Sequence, residues 1–144
     1  MCIRDRKKGT IGNTEFPETL TIAIGARCMI IYNIDVIDDL CNGQCGTVIG
    51  IEKNFKGKIY SIVVQFDDSS CGKLQRKRHQ KLSTKYKEQN GTPMFKVDHE
   101  FQLASRRGWA HSAKAKLRQF PLRLSYAQTA HKSQVTSNNF FHFS

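Results

Sequence analysis

Acidic side chains are scarce in this chain: 12 Asp and Glu stand against 23 Lys and Arg, which leaves a formal net charge of +11. Such an excess of one sign is the footprint of contact with a polyanion, either nucleic acid or an acidic membrane surface. Long apolar runs are missing as well. A helix that spans a bilayer needs about 18 or more apolar residues in a row, whereas the longest apolar stretches here, such as Cys28 to Tyr32, have the length of strands. The membrane reading falls, and nucleic acid remains. Met1-Cys2-Ile3-Arg4-Asp5-Arg6 lacks an apolar h-region and a small-residue cleavage site, so it is no secretory signal and an intracellular location is expected. Cysteine is sparse and odd in number, five in all; without a dense framework, and in a reducing compartment, no disulfide is expected.

Chemistry-bearing patterns are also lacking. The only Gly-Lys pairs are Gly57-Lys58 and Gly72-Lys73, and neither has the following Ser or Thr or the preceding Gly of a phosphate-binding loop. Cys41-x-x-x-Cys45 has no second closely spaced pair to complete a four-ligand zinc site, only Cys71 and His79, so no metal site is expected. Asp67-Asp68 closes a strand-like run and reads as the start of a turn.

What is present is a modest core and a β pattern. The length of 144 residues fits one domain, or a small domain with part of another, and 39% hydrophobic content with nine Phe and four Tyr is enough to fill it. Residues 1–19 are a polar lead-in. From residue 20 short β-rich runs follow at Leu20–Ile24, Arg27–Tyr32, Thr47–Glu52 and Lys58–Phe66, separated by Gly25, Asn42-Gly43, Gly50 and Gly57. Gly25, Asn42, Gly43 and Gly46 read as turn formers. Asn54-Phe55-Lys56-Gly57-Lys58 reads as a hairpin tip whose lysines, Lys56 and Lys58, suit phosphate contact. Residues 69–90 collect Lys73, Arg76, Lys77, Arg78, Lys81, Lys85 and Lys87 without apolar periodicity, the pattern of an exposed, mobile connector. Short strands are expected at Met94–Val97 and Glu100–Leu103, then a basic stretch from Arg106 to Arg118. Phe120 to Ala127 reads as a buried strand, with Thr129 capping a helix entered at Ala130. A helix entrance of that kind presents free N–H groups to a phosphate oxygen.

Two segments carry a family resemblance. Thr129-Ala130-His131-Lys132-Ser133-Gln134, fed by the run from Gln119, resembles the Thr-x-His-Lys-x-Gln motif of Pif-type (petite integration frequency) and Helitron-transposon helicases. Gly25–Asp35 continuing through Leu40–Val48, with Val64-Gln65-Phe66-Asp67-Asp68 and Gly72, is similar to the SH3-like insertion those helicases carry in their second motor lobe. The resemblance covers roughly Phe16 to Gln134. It implies a mainly β chain, an SH3-like small barrel at 20–104 that includes the basic connector, followed at 105–134 by a strand-helix fragment of a truncated RecA-like lobe; 135–144 is a tail outside the pattern. It further implies a piece of an ATP-dependent DNA helicase that contacts single-stranded DNA through Thr129, His131, Lys132 and Gln134. Catalytic residues and a cofactor are expected to be none in this piece, since ATP and Mg belong to the whole motor and its first RecA-like lobe is missing; the nucleus or mitochondrion is the implied address. The sequence departs from the motif after Gln134, where Val135, Thr136 and Ser137 stand in place of the family's Gly-x-Thr. The alternative from another class is a non-enzymatic SH3-like nucleic-acid-binding or interaction module. A peptide-binding adaptor is disfavoured, because it would need an aromatic-lined groove and exposed aromatics are expected to be sparse.

Overall fold

A computed structural model describes residues 19–102, 114–125 and 140–143. The chain is mainly β. Its centre is a five-stranded antiparallel sheet built from β2 (Arg27–Ile30), β3 (Cys45–Lys53), β4 (Ile59–Phe66), β5 (Thr92–Met94) and β8 (Leu122–Leu124), in the order β5-β4-β3-β2-β8. Two further pairs flank it: β1 (Leu20–Ala23) with β9 (Phe140–Phe143), and β6 (Val97–Gln102) with β7 (Lys114–Gln119).

Burial follows from strand position. In β3 side chains alternate between buried and half-buried up to Gly50, the signature of a strand with one face on the core. In β4 the run Ser61-Ile62-Val63-Val64 is buried on both faces, as expected for a strand with neighbours on each side and cover above and below. Pro93 lies in β5, an edge strand that needs no further donor. The core gathers Leu20, Ile22, Cys28, Ile30, Leu40, Val48, Ile62, Val64, Phe66, Cys71, Met94, Phe120 and Leu122. The buried hydroxyl of Ser61 is satisfied by donating to the Met94 carbonyl at 3.1 Å.

Several expectations change. The connector at 69–90 contains elements: α1 (Lys73–Arg78), α2 (Gln80–Lys85) and a 3-10 turn at Lys87–Gln89. Neither helix buries a residue, which is why no apolar period marks them, and they are fixed from outside. The Asp38 carboxylate, 3% exposed, accepts from the backbone N–H groups of Leu74 at 2.7 Å and Gln75 at 2.8 Å. It thereby caps a helix whose own N-cap, Gly72, has no side chain to offer. Met94–Val97 is the junction between β5 and β6 and not one strand, and the basic stretch contributes β7. The tail, to which no element was assigned, supplies β9, with Leu20 opposite Phe143 and Ala23 opposite Phe140. Of the expected strand from Phe120 to Ala127, Leu122–Leu124 is present, while Tyr126, Ala127 and the helix from Ala130 fall outside the described residues.

The glycines divide by role. Gly25 and Gly43 take positive φ, 88° and 98°, as turn formers do. Gly46 and Gly50 instead lie inside β3. A Cβ on Gly50 would fall 2.5 Å from Cζ of Tyr86, so the bare backbone is what lets the Tyr86 ring lie across the strand and donate to Glu52 Oε1 at 2.5 Å. Gly50→Ala will displace that ring and cost about 1 kcal/mol, the worth of one hydrogen bond with some packing. In urea melts the penalty should vanish in a Tyr86→Ala background, which removes the ring as well as its hydroxyl; an undiminished penalty there would put the cost in the strand itself.

Candidate nucleic-acid interface

The turn between β3 and β4 is built by Asn54. Its side-chain Oδ1 accepts from the backbone N–H of both Lys56 and Lys58, each at 2.9 Å, and its own N–H donates to the Lys58 carbonyl at 2.8 Å. Gly57, at φ 75°, completes the reversal by donating to the Asn54 carbonyl at 2.9 Å. Asn at the turn entrance and Gly at the positive-φ position are the residues such a tip requires. The expected hairpin tip is therefore present, and both of its candidate residues, Lys56 and Lys58, are exposed on it. Neither forms an ion pair among the described residues.

Between them and the strand stands Phe55, 94% exposed, with the Lys56 Nζ 5.7 Å from its ring centroid. Tyr32 and Tyr60 are also open to solvent, which corrects the expectation that exposed aromatics are sparse. Sequence reasoning placed Phe55 at the tip without assigning it a task, because phenylalanine as a type signals burial. The usable signal was its position between Asn54 and Gly57, where a tight turn leaves no core to enter.

Several of the other cations are already engaged. Arg76 donates to the carbonyls of Cys71 at 2.8 Å and Ser69 at 3.0 Å and to Thr92 Oγ1 at 2.8 Å, so it ties the helical arm to β5. Arg78 pairs with Asp35 at 3.0 Å, and that hydrogen bond holds the Asp35 carboxyl below the usual range. Lys85 pairs with Glu52 at 2.8 Å; burial pushes the Glu52 carboxyl up, but hydrogen bonds from Lys85 and Tyr86 outweigh it and hold it low. Arg27 grips Asp67 with both terminal guanidinium nitrogens, Nη1 and Nη2, at 2.7 and 2.6 Å, and its hydrogen bond keeps the Asp67 carboxyl low. Asp68 accepts from the backbone N–H and hydroxyl of Ser70 at 2.8 and 2.6 Å, so the acidic pair divides between an ion pair and a turn. Lys77, Lys81 and Lys87 are exposed along the helical arm and, like the tip lysines, form no ion pair among the described residues.

On the β6–β7 ribbon, Lys114, Lys116 and Arg118 alternate with half-buried Ala115 and Leu117 and stand exposed together, with Asp98 opposing Lys116 at 3.3 Å and Arg118 at 3.8 Å. Burial raises the Cys28 thiol to about 12, which keeps it protonated and unreactive near neutrality. Among the described residues no group of three or more His, Cys, Asp or Glu is placed to hold a metal ion, and no helix is long and apolar enough to cross a membrane. Thr129, His131, Lys132 and Gln134 lie outside the described residues.

No family model matches the chain, and no curated protein does. Solved structures do. One, of two coordinating Pif1 helicases described as unwinding forked double-stranded DNA, is 19% identical with a TM-score of 0.41 over 74% of this chain and 17% of that one. Unliganded Pif1 from Bacteroides sp. gives 19% identity and a TM-score of 0.40 over 73% of this chain and 25% of that one. Pif1 from Bacteroides with ADP-AlF3 and single-stranded DNA gives 19% and 0.40 over 73% and 19%. This chain thus spans a quarter or less of the length of each of the helicase structures to which it is similar.

Proposed function

We propose that this chain supplies single-stranded DNA contact within the second motor lobe of a Pif-type or Helitron-like ATP-dependent DNA helicase, carries that family's SH3-like insertion, and hydrolyses no ATP by itself. The observation that carries the reading is the β3–β4 tip: a turn fixed by Asn54 that holds Lys56 and Lys58 in solvent with no ion pair among the described residues. A turn of fixed backbone that carries two lysines without an ion pair among the described residues, on a chain of net charge +11, suits phosphate contact, since little loop order has to be gained on binding and no ion pair has to be broken. Thr129, His131, Lys132 and Gln134 are the proposed grip on the tracking strand, on the strength of their motif. ATP and Mg would be bound by parts of the motor that include its first RecA-like lobe, and the nucleus or mitochondrion is the proposed address.

The tip is tested by anisotropy titration of a labelled single-stranded oligonucleotide over a range of salt. Log affinity falls with log salt by about 0.7 for each phosphate neutralised. Replacing both Lys56 and Lys58 by Gln should therefore flatten the slope by about 1.4 while leaving the melting temperature unchanged. Equal slopes for wild type and variant would remove the tip from the interface, and a flat wild-type titration would remove the electrostatic reading altogether.

A further inference from the structure

We infer that Phe55 is a base-stacking residue: the β3–β4 tip grips an unpaired nucleotide by laying its base against the Phe55 ring while Lys56 and Lys58 engage the phosphates on either side. The inference rests on the proposed single-strand contact and adds to it the part of the nucleotide that is recognised.

Four observations converge. Phe55 is 94% exposed, the most exposed large hydrophobic side chain among the described residues, in a position where polar residues are otherwise the rule for a tight turn. The backbone beneath it is held by the Asn54 side chain on two N–H groups, so the ring is carried on a preformed platform. Cationic side chains follow it at Lys56 and Lys58, and the Lys56 ammonium sits 5.7 Å from the ring centroid, within cation–π range, while a ring 94% exposed has surface left for a base. Finally, Asn54, Lys56 and Lys58 place no acidic group beside the ring within the turn. An apolar plane bordered by lysines is the minimal arrangement for binding a single strand without reading its sequence, since every base has a π face and every nucleotide a phosphate. It also sets a preference. Bases in a duplex are already stacked on their neighbours, so a single ring on a narrow tip gains from an unpaired nucleotide and gains little from a continuous helix.

The same chemistry could in principle serve an anionic lipid surface, and the experiment separates the two. The full chain and its Phe55→Ala and Phe55→Trp variants are titrated with oligothymidylate, with an abasic strand of equal length and charge, and with vesicles of mixed phosphatidylserine and phosphatidylcholine. The expected result is that wild type prefers oligothymidylate over the abasic strand by about tenfold, that Phe55→Ala abolishes the preference without changing the salt slope, and that Phe55→Trp restores it. Phe55→Ala should melt with wild type, given the exposure of the ring. A wild type that binds both strands equally, or a Phe55→Ala that keeps the preference, overturns the stacking role while phosphate contact stands. Binding to vesicles that depends on Phe55, with no preference between strands, overturns it in favour of a lipid surface. Failure to bind either strand at any salt overturns the single-strand reading itself and this inference with it.

Discussion

Gly46→Ala should lower the melting temperature by on the order of 10 °C, a loss of about 3 kcal/mol at the upper end of what overpacking costs. The position is inside β3, opposite Phe66 of β4. A Cβ there would lie 2.6 Å from the Gln65 carbonyl oxygen, 2.7 Å from Cγ1 of Val64 and 3.0 Å from Cα of Phe66. Two of these atoms are backbone of the neighbouring strand, which cannot turn aside as a flexible side chain would. The methyl must push β4 away or twist the pair, and either movement is passed to Ile62 and Val64 in the core. Gly25→Ala is the informative comparison, because its Cβ would meet nothing within 4 Å and only the φ of 88° opposes it, a strain of about 1–2 kcal/mol. If Gly46→Ala melts within a degree or two of wild type, the close approach of β3 and β4 is not what that glycine serves.

Asp38→Ala should cost about 3 kcal/mol, because it orphans two backbone donors that a buried carboxylate now satisfies. The loss should be local before it is global. Hydrogen exchange at the amides of Leu74 and Gln75 should accelerate most, since these are the groups that Asp38 accepts from, and the strands should keep their protection until the whole chain melts. Asp38→Asn keeps one acceptor oxygen and should lose about half as much. Its exposed neighbour serves as the control, with Asp39→Asn changing stability by no more than about 0.5 kcal/mol. Should the Leu74 and Gln75 amides exchange at the wild-type rate in Asp38→Ala, the helical arm is held by something other than this cap.

How much of this was legible in the sequence depends on the range over which each element is determined. β2, β3 and β4 could be placed because alternation and glycine punctuation are written within a few residues, and the tip could be placed because Asn54 and Gly57 specify it locally. The helical arm could not. Each of α1 and α2 is six residues long with no buried side chain, so no period exists to be found, and the cap that starts α1 comes from Asp38, 36 residues earlier than Leu74. β7 was hidden differently: Lys114, Lys116 and Arg118 do alternate with Ala115 and Leu117, but the density of charge drew the reading toward a solvated stretch. β9, Phe-Phe-His-Phe, carries no alternation at all and owes its definition to β1. At the interface, the lysines were legible because solvent exposure is their ordinary state, whereas Phe55 was not, since its exposure is imposed by the turn against the preference of the side chain.

The pairing of β1 with β9 also has a mechanical meaning. Leu20 lies opposite Phe143 and Ala23 opposite Phe140, so the entrance of one strand and the exit of the other sit at the same end of the ladder. A force that draws Leu20 and Phe143 apart acts across the strands and loads one rung at a time, as in opening a zipper, whereas a force along the strands would have to shear every rung at once. Tension applied at those two points would therefore be relieved first by peeling this pair, leaving the five-stranded sheet and the tip it carries as the last parts to feel the load.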